Sequence, residues 1–175
     1  MTTDKVIAIL KELDFKPNVK SFQDRLIMQK LVYLLQLKGV KIGFDYGLYV
    51  RGPYSPALTK GIYSHIDDFE NLKTAEKLAP NEREAIHELK EIFELKPGWL
   101  EVAATYAYFI KEGFGQIEAT KKVKKLKPFF SEGMIAVGIS VAKEFLFMPS
   151  KKIEEEMKKE FSAWENAYIQ DRMRE

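Results

Sequence analysis

The stretch SFQDRLIMQKLVYLLQLKG, Ser21–Gly39, decides the fold. Ser21, followed three residues later by Asp24, is a short-armed variant of the capping box and predicts where a helix begins. Gly39 stands where a residue in the left-handed conformation would end that helix. Between these two signals apolar residues occupy more than one face of the helix. We therefore expect it to be the central buried element of a mainly α-helical domain.

Capping signals and apolar periodicity predict further helices on both sides of this segment. We expect a first helix to begin at a Thr3 cap and to end before Pro17. The later predicted helices are Ser55-Pro56 to about Ile66, one opening at Asn81–Glu84, a buried one at Trp99–Ile110, a basic one at Gln116–Leu126, and one from a Ser131 cap to about Phe145. The fold class we predict is mainly α, a multi-helix domain with a short β-hairpin or strand around residues 43–50.

The chain divides at one weakly patterned region. We expect residues 1–148 to form a single helical domain with an N-terminal part, 1–70, and a C-terminal part, 80–148. Residues 149–175 are expected to form a C-terminal amphipathic helix that begins at a Ser150 cap. Its apolar stripe must be buried on the domain, on a second copy of the chain in a homodimer, or on a partner; the stripe comprises Ile153, Met157, Phe161, Trp164 and Tyr168.

Composition excludes several functional classes. The 175 residues carry a formal net charge of +2, which gives no whole-protein electrostatic case for nucleic-acid binding. There is no cysteine, so thiolate catalysis, disulfides and Cys-ligated zinc are excluded. The two histidines, His65 and His87, have no metal-ligand spacing, and we expect neither metal nor cofactor. We see neither a signal peptide nor an apolar run that could span a bilayer, and we expect a cytoplasmic protein.

The segment YGLYVRGPYSP, Tyr46–Pro56, is the candidate partner-binding surface. Its candidate contact residues are Arg51, Tyr54, Tyr49 and Tyr46, of the residue types enriched at interface hot spots. We expect Gly52 and Pro53 to form a turn that displays Arg51 and Tyr54. The alternative is structural: the rings pack the strand against the second helix, and Arg51 forms a salt bridge, for example to Asp45. A separate functional interpretation is that Arg51 binds an anion, such as a phosphate or a partner carboxylate.

The basic run KKVKKLK, Lys121–Lys127, is the one strongly asymmetric block of charge. Segment 116–130 holds five lysines and one acid, Glu118, for a local charge of +4. We expect the lysines to form a solvated helix face. The alternative is a nucleic-acid-binding regulatory protein that contacts phosphates through this face; the contacting residues would be Lys121, Lys122, Lys124, Lys125 and Lys127.

Catalysis has little support in the sequence. There is no Gly-rich phosphate loop, serine nucleophile elbow or paired metal carboxylate motif. An enzymatic site centred on His65 and Arg51 would require these two side chains to meet in a pocket. We expect the chain not to be an enzyme.

Two motifs resemble those of a known group. MQKLVYLLQ, Met28–Gln36, and YGLYVRGPYSPAL, Tyr46–Leu58, resemble the YwgA-like and SocA-like (Panacea) proteins, which pair an LQKLVY-type helix with a GPYS-type turn entering the next helix. Leu100–Tyr106, Glu118-Ala119 and Leu126–Ser131 are also similar to the YwgA type, so the resemblance covers roughly residues 20–146.

The resemblance implies a mainly helical fold with a small β element near the Gly-Pro turn. It also implies protein binding of the antitoxin or proteolysis-adaptor kind, with a toxin, protease substrate or adaptor protein as partner, and it brings no catalytic residues. The positions of this chain that match its motifs are Lys30, Tyr33, Tyr46, Arg51, Gly52, Pro53, Tyr54 and Ser55.

Overall fold

The computed structural model describes residues 2–149 and 154–163. Its elements are α1 (Thr2–Glu12), α2 (Phe22–Lys38), β1 (Gly47–Tyr49), β2 (Gly52–Tyr54), α3 (Pro56–Ser64), α4 (Ile66–Glu70), α5 (Pro80–Phe93), α6 (Pro97–Lys111), α7 (Gln116–Leu126) and α8 (Glu132–Phe147). Residues 154–163 are also helical. The predicted fold class, mainly α with a short β-hairpin, is confirmed.

Helix α2 is the centre of the N-terminal half. The Ser21 hydroxyl accepts a hydrogen bond from the Asp24 N–H at 3.2 Å, and Gly39 ends the helix with a φ of 107°. Both predicted end signals are confirmed. Every residue from Leu26 to Leu35 is buried, including two polar ones. The polar side chains of a helix that is buried on all sides need hydrogen-bond partners elsewhere in the fold. For α2, those partners lie at the candidate functional site.

Helix α6 has the same role in the C-terminal half. Its residues Leu100–Ala107 are buried, and it packs mainly on α8, and also on α2, α7 and β2. A single apolar cluster runs from Val6 in α1 to Phe145 in α8. The buried helix predicted at Trp99–Ile110 is confirmed, and the hairpin lies where α2 and α6 meet.

The hairpin differs from the prediction in the position of its turn. β1 pairs with β2 in antiparallel register, with Leu48 opposite Pro53, so the connection is Val50-Arg51 and the predicted turn Gly52–Tyr54 is the second strand. Proline is tolerated there because a two-stranded sheet leaves each strand an unpaired edge. Gly52 has a φ of 88°, and a Cβ at this position would clash with the Thr105 hydroxyl of α6. Glycine is required for both reasons.

Several helix ends confirm the capping analysis, and others correct it. Ser55 and Ser131 accept the N–H groups of Leu58 and Met134, as N-caps do. The predicted cap Thr3 is wrong, because α1 already includes Thr2. The predicted third helix is shorter than expected and is followed by a separate short helix, α4.

The C-terminal helix is described only in part. Within residues 154–163, Met157 and Phe161 are exposed, at 43% and 70%. Ser150, Ile153, Trp164 and Tyr168 lie outside the described residues, so burial of the predicted stripe stays a prediction. In the part of the chain that the structure describes, the helices are too short or too polar to cross a membrane.

The α6–α8 contact gives a stability prediction. A Cβ at Gly138 would lie 2.5 Å from Val102 of α6, so Gly138→Ala should force the helices apart and lower the free energy of unfolding by about 1–3 kcal/mol. Gly133→Ala, in the same helix, is the matched control, because its Cβ would approach nothing closer than the Ser131 hydroxyl at 4.0 Å. Urea unfolding of both variants checks this; equal stability would contradict the close α6–α8 packing.

Candidate functional site

The two family-like motifs meet in space through Gln29. Its side-chain nitrogen donates to the Ser55 carbonyl at 3.0 Å and to the Thr59 hydroxyl at 2.9 Å. Its side-chain oxygen accepts the Ser55 N–H at 2.9 Å. The Gln29 amide thus provides hydrogen-bond partners for both the N–H and the carbonyl of Ser55 at the start of α3. Through this side chain, α2 fixes the point where the hairpin leads into α3.

Two buried lysines hold the hairpin through its carbonyl oxygens. Lys30 of α2 donates to the Pro53 carbonyl at 2.6 Å. Lys127, at the C-terminal end of α7, donates to the Val50 carbonyl at 2.9 Å. Lys30 is 2% exposed and Lys127 0% exposed. Burial of a lysine ammonium is costly unless it is paired, so these contacts call for a nearby negative charge.

Glu101 of α6 supplies that negative charge. Its carboxylate, 3% exposed, accepts from Lys127 Nζ at 2.7 Å and lies 3.6 Å from the guanidinium of Arg51. We call Lys30, Arg51, Glu101 and Lys127 the charge cluster. It holds three cationic side chains and one carboxylate, so the cluster has an excess of positive charge.

Burial changes the protonation of the two lysines, and the neighbouring charges modify this effect. Burial lowers the pKa of Lys30 to about 7; the charge of Glu101 opposes this shift, and those of Lys127 and Arg51 add to it. Burial also lowers the pKa of Lys127, against its hydrogen bond and ion pair with Glu101. Lys30 is therefore poised to gain or lose a proton near neutral pH.

A cleft of about 440 Å³ opens beside the charge cluster. We call it the aromatic cleft, and its lining residues are Phe22, Arg25, Leu26, Gln29, Lys30, Tyr49, Val50, Arg51, Gly52, Tyr54, Thr59 and Tyr63. These described lining residues include three cationic side chains but no Asp, Glu or His. Apolar walls with a few convergent polar groups are typical of a ligand site.

Arg51 lies at the rim of the cleft and is only loosely held. Its guanidinium lies 4.9 Å from the centre of the Phe129 ring and 5.9 Å from that of Phe22. Its contact with Glu101 is longer than a hydrogen bond, and half of the side chain is exposed. The predicted salt bridge is present, but with Glu101 rather than with the suggested Asp45.

The tyrosines predicted to bind a partner separate into two groups. Tyr49 and Tyr54 line the cleft with their rings edge to face, 5.1 Å between centroids. Tyr46 instead packs on Tyr33 at 4.9 Å and donates its hydroxyl to the Gln29 carbonyl at 3.3 Å. Its burial raises its pKa. Tyr46 thus packs against α2, as the structural alternative expected, and it is not part of the described lining of the cleft.

The lysine run is divided by the fold. Lys127 is wrong as a nucleic-acid contact, because its ammonium is fully buried against Glu101 and Val50. Lys122 lies over the Phe114 ring at 4.3 Å, and Lys124 pairs with Glu132 at 3.1 Å. Lys121 and Lys125 are exposed. The predicted solvated face is present, but it is smaller than the sequence suggested.

His65 does not take part in the cleft. Its Nδ1 lies 3.4 Å from the Asp68 carboxylate at the junction of α3 and α4. It is absent from the described lining, whereas Arg51 belongs to it. Among the described residues, no group of three or more His, Asp and Glu side chains is placed to hold a metal ion.

Sequence reasoning missed most of the charge cluster. The sequence places Lys30 in a motif and predicts Lys127 on a solvated helix face. It gives no role to Gln29 or Glu101. The available signal was a charged residue inside an otherwise apolar pattern, as in Ile27–Leu35 and Trp99–Tyr106. Such residues are seldom buried unless paired, so each predicts a partner elsewhere in the fold.

The chain was compared with protein-family models, with curated proteins and with solved structures, and none of them matches. The resemblance to the YwgA-like and SocA-like group thus stays a prediction. Any function must be argued from the cleft and the charge cluster.

Glu101 should be the side chain on which the cluster depends for stability. Glu101→Gln leaves the buried Lys127 without its counter-charge, and we expect a loss of about 3–5 kcal/mol in the free energy of unfolding. Glu94→Gln is the control, because Glu94 forms a largely exposed pair with Lys96 at 2.9 Å and should change stability by less than about 1 kcal/mol. Chemical denaturation at neutral pH measures both; a Glu101→Gln variant as stable as Glu94→Gln would refute the role of Glu101.

Lys30 should make stability depend on pH. Between its folded pKa of about 7 and its ordinary value of 10.5, the unfolded chain holds a proton that the folded chain has released. The free energy of unfolding should therefore rise with pH in this window, by up to about 1.4 kcal/mol per unit, and this increment should vanish in Lys30→Met. Lys38→Met, on the same helix, should keep it. Urea titrations across the window decide, and identical pH slopes for wild type and Lys30→Met would contradict the assignment.

Proposed function

We propose that the chain is a cytoplasmic protein-interaction module that binds a segment of a partner protein in the aromatic cleft. The observation that carries this proposal is the convergence of exposed aromatic side chains and Arg51 on one concave surface. Phe22, Tyr49 and Tyr63 are each at least half exposed, although each could contribute to a core. Exposed apolar groups gathered around an arginine have the composition of an interface hot spot.

The anchoring of the hairpin also supports recognition. The Val50 and Pro53 carbonyls and the backbone of Ser55 are fixed by side chains of α2 and by Lys127. A preorganised surface loses less conformational entropy when a partner binds. The ring pair Tyr49–Tyr54 is thus presented on a rigid support.

The cleft has too few reactive groups for an enzyme proposal. A buried lysine with a pKa near 7 is of the type that forms Schiff bases. Lys30, however, donates to the Pro53 carbonyl, and the described lining contributes no carboxylate, imidazole or thiol to exchange protons with a substrate. Binding accounts for the geometry without a reaction.

Nucleic-acid binding through the lysine helix is the second candidate, and the observations favour it less. Burial of Lys127 and pairing of Lys124 leave a smaller surface for phosphate contacts than five free lysines would give. Retardation of a labelled duplex at low salt, with steep loss at higher salt, is the behaviour that would support this candidate over the cleft.

Peptide selection tests the protein-interaction proposal directly. A random-peptide display library selected on the purified protein should yield binders, which are then synthesised for affinity measurement by fluorescence polarisation. Arg51→Ala and Tyr54→Ala should each weaken the selected peptides about tenfold or more, because both remove contact area in the cleft.

Two matched controls isolate the cleft. Arg83→Ala removes an equally exposed arginine, 55% against 50%, that also forms a loose ion pair, with Glu12 at 3.9 Å. Ile117→Ala removes an exposed apolar side chain of α7. Both should leave affinity within about twofold, since surface changes outside a contact have small effects. Peptides that bind folded Arg51→Ala and Tyr54→Ala as tightly as wild type would refute the cleft as the contact surface.

A further inference from the structure

The charge cluster and the aromatic cleft share two residues. Lys30 and Arg51 belong to both, so the excess positive charge of the cluster faces the cleft. The third cation of the cluster, Lys127, already holds Glu101 at 2.7 Å. Arg51 is farther from that carboxylate, and Lys30 makes its hydrogen bond to a neutral carbonyl. Arg51 and Lys30, the two cations on the open side of the cluster, therefore have no closely paired anion of their own.

We propose that the aromatic cleft binds a ligand group that combines an aromatic ring with a carboxylate, and that Lys30 takes up a proton when this carboxylate enters. This inference rests on the proposed function and specifies its partner: the bound segment presents an acidic side chain or a terminal carboxylate beside an aromatic residue. Arg51 receives the carboxylate at the rim, and the Tyr49–Tyr54 pair receives the ring.

The number and type of cations favour one carboxylate over a phosphate chain. Of the three cations of the lining, Arg25 donates to the Val19 carbonyl at 2.7 Å and Lys30 to the Pro53 carbonyl at 2.6 Å. Arg51, whose contact with Glu101 is 3.6 Å long, is therefore the cation that receives the ligand carboxylate, and Lys30 responds to its charge. An arginine fork matches a carboxylate, and one added carboxylate beside Glu101 would reduce the excess positive charge of the cluster. A polyanion needs a longer track of exposed cations than this cleft offers.

The proposed uptake of a proton by Lys30 depends on the charged groups that surround its amine. The charged groups facing it are Glu101 from α6, Lys127 from the end of α7 and Arg51 from the hairpin turn; Arg25 from α2 and the hydroxyls of Tyr49, Tyr54 and Tyr63 line the same cleft. Two of its three electrostatic neighbours are cations. A ligand carboxylate adds a second anion to this set and stabilises the protonated amine.

The test uses 3-phenylpropionate and its neutral isostere 3-phenylpropanamide as probes on the full chain. Titrations followed by ¹H–¹⁵N NMR at about pH 7 should shift the amides of the cleft and give an affinity at least about tenfold higher for the acid, the size of effect a charge-assisted hydrogen bond gives. Arg51→Ala should abolish this preference, and Arg83→Ala should keep it. Equal binding of acid and amide, or no shift in the cleft, would overturn the proposal.

Proton uptake is measured on the wild type, so it does not depend on a variant's folding. Calorimetric titration of the acid near pH 8 in phosphate and in Tris, buffers of different ionisation enthalpy, should show net uptake of a proton. Affinity should be constant below about pH 7 and fall up to tenfold per pH unit above it, because free Lys30 is then neutral. Lys30→Met should lose this pH dependence, whereas Lys38→Met should retain it.

The outcomes separate this inference from the proposed function. Selected peptides that bind the cleft without acidic preference and without proton uptake would overturn the inference and leave protein binding intact. Proton-linked binding of 3-phenylpropionate, with no peptide selected, would support the anion site and count against the interaction module. A single-stranded oligonucleotide that displaces the probe and binds more tightly than any acidic peptide would overturn both.

Discussion

The buried carboxylate of Glu101 is the constraint on which the rest of the site depends. It allows Lys127 to be fully buried at the end of α7, and Lys127 in turn fixes the hairpin turn at Val50. The same charge partly offsets the cost of burying Lys30, which fixes the other strand at Pro53. A buried pair of this kind contributes little net stability over an apolar replacement, but it is specific in geometry. In this structure, the pair determines the position of the hairpin.

The residues that support the hairpin are separate from most of those that line the cleft. Buried polar side chains form hydrogen bonds with the backbone of the hairpin on its core-facing side. The side chains on its exposed side are therefore not needed to hold the hairpin in place. Phe22, Tyr49 and Arg51 are thus left facing solvent around the cleft. This arrangement leaves a cluster with more positive than negative charge, which the surrounding helices hold in place. Strain or charge imbalance that a fold retains at a concave surface is often linked to what that surface binds.

Local signals predicted much of the fold, because caps and apolar periodicity act over a few residues. Ser21, Gly39, Ser55 and Ser131 end or begin helices where sequence rules place them. The hairpin turn lies elsewhere than predicted because Gly52-Pro53 has turn chemistry locally, whereas its strand conformation is fixed by contacts with α2 and α6. The charge cluster escaped prediction for the same reason: its members lie on four separate elements, and only tertiary packing brings them together.

Gly52 has a consequence for the order in which the structure forms. Strands of three residues are too short to be stable alone, so the hairpin gains its stability from helices far away in the chain. Gly52 lies against Thr105 of α6, where a Cβ would clash, and the hairpin turn is held by Lys127. Contacts of such long sequence separation carry a loop-closure cost, so we expect them to form after the helices they require have docked. We therefore expect a chain released before α7 is synthesised to lack the anchored hairpin, so the proposed binding surface would form only once α7 is present.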